Sequence, residues 1–123
     1  MRILIADDDE DLRTTLRIVL ENAGYEVDAV PDGEQAIQAQ RRRPADILVT
    51  DLFMPHRDGL ETVAYFREHH PRTRIVAISG GGFTGQRTNH LSVAQQAGAD
   101  VILRKPFDMD LLLERLRALS SVG

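Results

Sequence analysis

The sequence predicts an α/β fold, in which a parallel sheet of five strands carries helices on both faces. Short apolar runs recur at residues 3–5, 47–49, 75–78 and 101–103, and they lack the alternation of a strand that faces water on one side. Residues 25–30 supply the remaining strand pattern. Helical periodicity follows each strand, and this alternation predicts a parallel sheet with right-handed crossovers. We find no linker, repeat or low-complexity stretch, so residues 1–123 are expected to form one domain.

The first two predicted helices have clear boundaries. The first follows the acids at residues 7–9 and ends at Gly24, and its apolar face comprises Leu12, Leu16, Val19, Leu20 and Ala23. The second has Asp32 as its predicted N-cap and Gln35 at position N3. It runs to about residue 43, where Pro44 closes it, and its inward positions are Ala36 and Ile37.

Three more helices are predicted in the second half of the chain. The third has Asp58 as its cap and ends before Pro71, with core spacing at Leu60, Val63 and Ala64. The fourth starts near Thr88, after a glycine-rich stretch at residues 80–85, and its apolar positions are Leu91, Ala94 and Ala97. The fifth has Asp108 as its cap, and its inward side chains are Leu111, Leu112, Leu116 and Leu119.

Composition limits the functions that are possible. The chain has no cysteine, so neither a disulfide nor a thiolate metal site can form. The formal net charge of −4 argues against general nucleic-acid binding, and no apolar run is long enough to cross a bilayer. The first residues show no signal-peptide pattern. We therefore expect a cytoplasmic protein without nucleic-acid or membrane partners.

Reactive side chains follow most of the predicted strands. Asp7 and Asp8 follow the first strand, Asp51 the third, Ser79 the fourth and Lys105 the fifth. Because parallel strands end at a common edge of the sheet, we expect these side chains to lie together. Carboxylates brought together repel one another, and a hard divalent cation held by oxygen ligands, above all Mg²⁺, would relieve that repulsion.

The predicted site suits the transfer of a phosphoryl group. The charges of the carboxylates, a divalent cation and the Lys105 ammonium sum to zero, so an incoming phosphoryl group is not repelled. A carboxylate can attack phosphorus and form an aspartyl phosphate, while the cation and the ammonium neutralise the transferring oxygens. Ser79 is the candidate hydroxyl that would hydrogen-bond an oxygen of the product.

These residues resemble the receiver domain of two-component response regulators, a family that includes single-domain chemotaxis regulators. The resemblance covers essentially the whole chain and is carried by ILIADDD at residues 3–9, DLFMP at 51–55, DG at 58–59, GAD at 98–100 and KPF at 105–107, together with Ser79. It implies a flavodoxin-like (βα)5 fold with strand order 2-1-3-4-5. It also implies a sensor histidine kinase or a phosphotransfer protein as the donor, and a downstream protein partner of unknown identity.

The resemblance implies roles for the acids and for the metal. Asp51 would be the phosphoacceptor. Asp8 would be a direct ligand of Mg²⁺ or Mn²⁺, with Asp7 acting nearby or through water. The backbone carbonyl of Phe53 would complete the protein ligands.

It also implies how the signal is transmitted. Lys105 would pair with the phosphoryl group, and its peptide bond to Pro106 would be cis. Ser79 would be the switch hydroxyl, whose movement biases a two-state equilibrium of the face formed by the fourth helix, the fifth strand and the fifth helix.

The chain departs from the family pattern in two places. The switch position three residues before the lysine is usually aromatic, and here it is Ile102, which is stiff and has no polar tip. The interval between Ser79 and Lys105 is also longer than usual, with the excess in the glycine-rich stretch. We therefore predict that residues 80–88 form a mobile loop.

Three other functions fit parts of the sequence. Gly80-x-Gly82-x-x-Gly85 matches a dinucleotide-binding fingerprint, but that motif should follow the first strand of its unit, and its acid should end the next one. Asp7-x-Asp9 is similar to the nucleophile motif of aspartyl-phosphate phosphatases, but Asp11 replaces the expected Thr or Val, and the chain has no room for a cap domain. A receiver that only docks a partner is the third alternative. The presence of all five acidic, hydroxyl and lysine positions argues against it, whereas the change at Ile102 and the long glycine-rich stretch keep it open.

Overall fold

The computed structural model describes residues 1–52, 59–79 and 98–121. In chain order its elements are β1 (Arg2–Ala6), α1 (Glu10–Asn22), β2 (Glu26–Val30), α2 (Gly33–Arg42), β3 (Ile47–Asp51), α3 (Gly59–His69), β4 (Arg74–Ser79), β5 (Val101–Arg104) and α4 (Met109–Ser121). The predicted cap Asp58, the predicted mobile loop at residues 80–88 and the predicted fourth helix lie outside the described residues. The helix named α4 is therefore the one that the sequence predicts as the fifth.

The strands form one parallel sheet in the order β2-β1-β3-β4-β5. The register pairs Ile3 with Ile47 between β1 and β3, and Leu48 with Ile75 between β3 and β4. Every residue of β3 is buried, as the apolar run at its start predicts. The predicted fold and strand order are confirmed.

Alternate residues of the strands point to opposite faces of the sheet and contribute to two apolar layers, one on each face. On one face, Leu4, Leu48 and Ile75 pack against α2 and α3, whose main contributors are Ala36, Ile37, Val63 and Phe66. On the other face, Ile3, Val49 and Val76 pack against α1 and α4, through Leu16, Leu20, Leu112 and Leu116. Burial on both faces explains why these strands are almost continuously apolar.

The helix ends test the local predictions. Asp32 caps α2 as predicted, because its side chain accepts a hydrogen bond from the backbone N–H of Gln35. Gly24 adopts a φ of 98° after the last turn of α1, which suits a residue without a Cβ. The expected inward positions of Ala23 and Ala64 are wrong, since both residues are exposed. Thr62 is buried on α3 instead.

Among the described residues, no helix combines the length and the apolar character that crossing a bilayer requires.

Candidate functional site

Asp51 is the last residue of β3, the central strand, and its side chain lies at the carboxyl edge of the sheet. It is only 5% exposed, because neighbouring strands and α3 surround it. Gly59 begins α3 immediately against this strand end: a Cβ at that position would lie 2.1 Å from the carbonyl oxygen of Asp51. Any other residue at position 59 would push α3 away from the strand end, so the glycine keeps the site compact.

Asp7, Asp8 and Asp51 come together at this edge. One carboxylate oxygen from each residue lies within 4.8 Å of the others, so the three could hold one metal ion. Asp7 and Asp51 are buried, whereas Asp8 is exposed and lies on the solvent side of the cluster. The structure thus brings together all three acids that the sequence predicts at the site.

The turn between β1 and α1 sets the direction of the first two acids. The backbone N–H of Asp7 donates to the carbonyl oxygen of Val30 at 3.1 Å, which extends the pairing of β1 with β2. The N–H of Asp9 donates to Asp7 Oδ1 at 2.8 Å. Asp9 itself caps α1, since its Oδ1 accepts from the N–H groups of Asp11 and Leu12. Sequence reasoning missed this capping role, although an Asp directly before a periodic apolar segment is its usual signal.

Burial and crowding make Asp7 an unusual carboxyl group. Burial raises the pKa of Asp7 to about 6, and the nearby Asp51 charge adds to the rise, although the hydrogen bond from Asp9 opposes it. Its Oδ2 atom is buried and accepts no hydrogen bond from any residue in the described ranges. A buried carboxylate oxygen without a donor is well suited to a cation, and the all-oxygen surroundings favour a hard one.

Lys105 supplies the positive charge of the site. Its backbone N–H donates to the carbonyl of Ser79 at 2.8 Å, which holds the end of β5 beside the end of β4. Its Nζ atom lies 3.1 Å from Asp51 Oδ2 and 3.8 Å from Asp7 Oδ2. Burial lowers the pKa of Lys105, but the Asp51 and Asp7 carboxylates outweigh it and hold that pKa above its ordinary value. The ammonium therefore stays charged next to the acids.

The remaining predicted residues are placed as follows. The side chain of Ser79 is fully buried, and its Oγ has no hydrogen-bond partner among the described residues. The peptide bond between Lys105 and Pro106 is cis. Ile102 is partly buried and packs against the apolar layer shared with α2 and α3. Phe53 lies outside the described residues.

The arrangement has the parts that phosphoryl transfer to a carboxylate requires. Asp51 offers a carboxylate whose neighbour is a fixed ammonium, and Asp7 and Asp8 complete an oxygen ligand set for a divalent cation. The edge is also reachable from solvent, because Asp8 is exposed and the Lys105 side chain is 29% exposed.

Comparison with known proteins defines the class. The family model described as "Response regulator receiver domain" matches residues 3–117. This chain belongs to the response regulator receiver family, and its role lies in two-component signalling.

Two curated relatives show how much of a longer protein the chain corresponds to. The chain is 39% identical over 119 residues to "Response regulator MprA" of Mycobacterium leprae, a match that covers 97% of this chain and 50% of that protein. It is 35% identical over 123 residues to "Transcriptional regulatory protein TcrA" of Mycobacterium tuberculosis, covering 100% of this chain and 47% of that protein. The chain therefore spans about half the length of the curated relatives it matches.

Solved structures share the fold. The chemotaxis protein CheY4 of Vibrio cholerae is 27% identical, with a TM-score of 0.83 over 96% of this chain and 97% of that one. The response regulator protein TrrA of Thermotoga maritima, solved in complex with Mg²⁺-BeF, is 29% identical, with a TM-score of 0.82 over 96% of this chain and 97% of that one. Membership of this family favours the receiver over the dinucleotide-binding and phosphatase alternatives, and the Gly80-x-Gly82-x-x-Gly85 segment lies outside the described residues.

Proposed function

We propose that residues 1–123 form one receiver domain that accepts a phosphoryl group on Asp51, from a phosphohistidine of a sensor histidine kinase or a phosphotransfer protein. The observation that carries the proposal is the convergence at Asp51: the Lys105 ammonium lies 3.1 Å from its carboxylate, and the acids of Asp7 and Asp8 complete the cluster. These four groups lie at or just after the ends of three strands, β1, β3 and β5, and a stabilising role alone does not explain why like charges are collected at one edge.

The reaction is a displacement at phosphorus. An oxygen of the Asp51 carboxylate forms the new P–O bond while the P–N bond breaks in a phosphohistidine that is protonated on its other ring nitrogen. The electron pair of the P–N bond stays on the ring, which leaves as neutral imidazole. Lys105 is placed to bind an oxygen of the transferring group, where its charge stabilises the charge on that group. In this reaction Asp51 is the group that becomes covalently modified.

The acids fit a resident Mg²⁺ or Mn²⁺ ion. Asp7, Asp8 and Asp51 each offer a carboxylate oxygen, and Asp7 Oδ2 is buried with no donor in the described part of the chain. The Phe53 carbonyl is the expected additional ligand. When bound, the ion supplies positive charge that offsets the repulsion between the acids and an anionic phosphoryl group.

Ser79 and Ile102 are the proposed switch residues. The Ser79 hydroxyl is buried at the end of β4 and has no hydrogen-bond partner among the described residues, so a phosphoryl group on Asp51 would offer it an acceptor. Its movement would bias the face that the family resemblance assigns to the predicted fourth helix, which lies outside the described residues, together with β5 and α4, and a downstream protein would bind to that face. Ile102 cannot supply the hydrogen bond of an aromatic hydroxyl, so its contribution would be limited to packing.

A groove beside Lys105 supports docking of the phosphodonor at this edge. Its volume is about 430 Å³, and its lining is mostly apolar: Leu12, Lys105, Pro106, Phe107 and Met109. On α1, Ile18 is 54% exposed, which is unusual for a large apolar side chain. A donor protein that packs on α1 and this groove would bring its phosphohistidine to Asp51.

The test is incubation with acetyl phosphate and Mg²⁺, followed by intact mass spectrometry. The wild-type protein should gain one phosphoryl adduct, and EDTA should prevent it. Asp51→Asn should gain none, whereas the control Asp110→Asn, which removes an exposed acid in the first turn of α4, should match the wild type. A wild-type protein that gains no adduct would exclude the proposal and leave the docking-only receiver, which the change at Ile102 favours.

A further inference from the structure

The turn that connects β1 to α1 has to place two carboxylates within a very short segment. β1 ends at Ala6 and α1 begins at Glu10, so residues 7–9 carry the whole reversal of direction. Asp7 and Asp8 both lie in this segment and both belong to the acidic cluster. A small rotation of the peptide that joins them would move both carboxylates relative to Asp51.

Arg13 holds that peptide. This residue lies in the first half of α1, and its guanidinium reaches back to the turn, where Nη1 donates to the carbonyl oxygen of Asp7 at 2.7 Å. The carbonyl is part of the peptide between Asp7 and Asp8, so the contact restrains the plane of that peptide. The side chain of Arg13 is partly buried, which shields the hydrogen bond from competition by water.

Asp8 depends on the backbone for its position more than Asp7 does. Asp7 is buried, and its Oδ1 accepts a hydrogen bond from the N–H of Asp9. Asp8 is exposed, and within the described ranges no hydrogen bond or ion pair holds its carboxylate. The peptide that Arg13 restrains therefore helps to set the direction of the Cα–Cβ bond of Asp8, and hence the region that its carboxylate can reach.

We propose that Arg13 is a positioning residue for the metal site, which acts by holding the Asp7 carbonyl so that the Asp7 and Asp8 carboxylates stay directed toward the position they share with Asp51. The inference rests on the proposed function, because it assumes that these acids bind a divalent cation. Side chains that orient metal ligands commonly contribute about tenfold or more to metal affinity.

A role of Arg13 through its charge and a role through positioning predict opposite effects of its replacement on metal affinity, which makes the inference testable. A guanidinium close to the site repels a cation, so a role through charge alone predicts tighter metal binding when Arg13 is replaced by Met. Positioning predicts weaker binding after the same replacement. Arg13→Lys keeps the charge but loses the planar set of donors, so positioning predicts weaker binding there too, whereas a charge role predicts no change.

Arg17 offers a matched control on the same helix. It lies one turn further along α1, and its Nη2 donates to the carbonyl of Val27 at 3.2 Å. Replacement of Arg17 by Met or Lys makes the same chemical change and removes the same kind of contact, but it does so at a carbonyl that adjoins no acid of the cluster. The replacement by Met also removes an exposed ion pair with Glu21, which lies on α1 away from the cluster.

The experiment measures Mn²⁺ binding by electron paramagnetic resonance of the free ion, in wild type, Arg13→Met, Arg13→Lys and the two Arg17 variants. We expect Arg13→Met to weaken Mn²⁺ binding roughly tenfold, Arg13→Lys to weaken it less, and both Arg17 variants to remain near wild type. With acetyl phosphate, the Mg²⁺ concentration for half-maximal phosphorylation should rise in the Arg13 variants, while the rate at saturating Mg²⁺ should stay close to that of wild type.

The outcomes separate the two proposals. Equal affinities in the matched Arg13 and Arg17 variants, or tighter binding in Arg13→Met, would overturn the role of Arg13 and leave the proposed function intact. Absence of Mn²⁺ binding by the wild-type protein would overturn both. Should circular dichroism show that Arg13→Met does not fold, the comparison of Arg13→Lys with Arg17→Lys decides in the same way.

Discussion

The two edges of the sheet differ in how most of their buried polar groups are paired. One buried atom at the amino edge, His70 Nε2, nevertheless lacks a hydrogen-bond partner among the described residues. At the amino edge, Gln40 Nε2 donates to Thr73 Oγ1 at 3.0 Å, and Thr73 Oγ1 donates to the carbonyl of Ala45 at 3.0 Å. The N–H of Ala45 completes the ring by donating to Gln40 Oε1 at 2.9 Å. At the carboxyl edge, Asp7 Oδ2 and Ser79 Oγ are buried without a hydrogen-bond partner among the described residues.

The difference shows where the fold gains stability and where it keeps reactive groups available. A closed ring of buried hydrogen bonds fixes the end of α2 against the starts of β3 and β4. An unpartnered buried oxygen destabilises the isolated protein but leaves an acceptor for a cation or a donor for a phosphoryl group. The amino edge should therefore respond to mutation mainly in stability, and the carboxyl edge mainly in reactivity.

Among the proposed mutations, the largest effect is expected at the carboxyl edge, on the rate of phosphorylation. Lys105→Met removes the ammonium 3.1 Å from Asp51, so the charge of the transferring group loses its main protein partner. We expect the rate of phosphorylation by acetyl phosphate to fall by roughly 10²- to 10³-fold, as for the loss of one oxyanion donor. Intact mass measured over time gives the rate. Arg104→Met removes an exposed cation one residue earlier and should change the rate little, so an equal loss in both variants would contradict a specific role for Lys105.

The second largest effect is expected from a mutation at the amino edge, on the free energy of unfolding. Thr73→Val keeps the shape of the side chain but leaves Gln40 Nε2 without its acceptor and the Ala45 carbonyl without its donor. We expect the free energy of unfolding to fall by about 2–3 kcal/mol, with an unchanged rate of phosphorylation. Urea denaturation measures the loss, and Thr15→Val, at an exposed position on α1, serves as the control. A Thr73→Val protein that is as stable as this control would show that the ring contributes little.

The smallest effect concerns the pH dependence of stability without metal. Burial raises the pKa of Asp7 to about 6 from an ordinary value of 3.8, so the folded state binds this proton more tightly than the unfolded state does. The contribution of Asp7 is most favourable below pH 3.8 and is lost as the pH rises to about 6. The full rise in pKa corresponds to about 3 kcal/mol, and screening by solvent at the open edge of the site reduces it. At pH 8 without Mg²⁺, Asp7→Asn should therefore be more stable than wild type, by about 1–2 kcal/mol.

Denaturation from pH 3 to pH 8 checks this prediction. The stability difference between Asp7→Asn and wild type should grow across the interval from about pH 4 to pH 6, and Mg²⁺ should stabilise the wild type but not the variant. Asp11→Asn removes an exposed acid from the first turn of α1 and should show no such growth. A constant difference across this interval would mean that the Asp7 carboxyl titrates normally.

Local patterns in the sequence were enough to predict the architecture. The strand runs, the cap at Asp32 and the turn at Gly24 depend on neighbouring residues alone, and each was predicted correctly. The errors concern the direction of single side chains. Ala23 and Ala64 have helical spacing but are exposed, because small side chains at the margin of an apolar face can lie on either side of it. Gln40 is buried on α2 because its partners come from distant segments, which periodicity does not reveal.

The properties of the site also fall into those that the sequence predicted and those that only the tertiary structure decided. The sequence indicated which strand ends carry acids, a hydroxyl and an ammonium, since a strand ends where its apolar run ends. Only the tertiary structure decided that Asp7 is buried with an oxygen that accepts no hydrogen bond from the described residues, that Lys105 lies between two carboxylates and that Arg13 holds the Asp7 carbonyl. Those properties depend on distances between segments and on the local exclusion of water, because hydrogen bonds and charge interactions vary steeply with both.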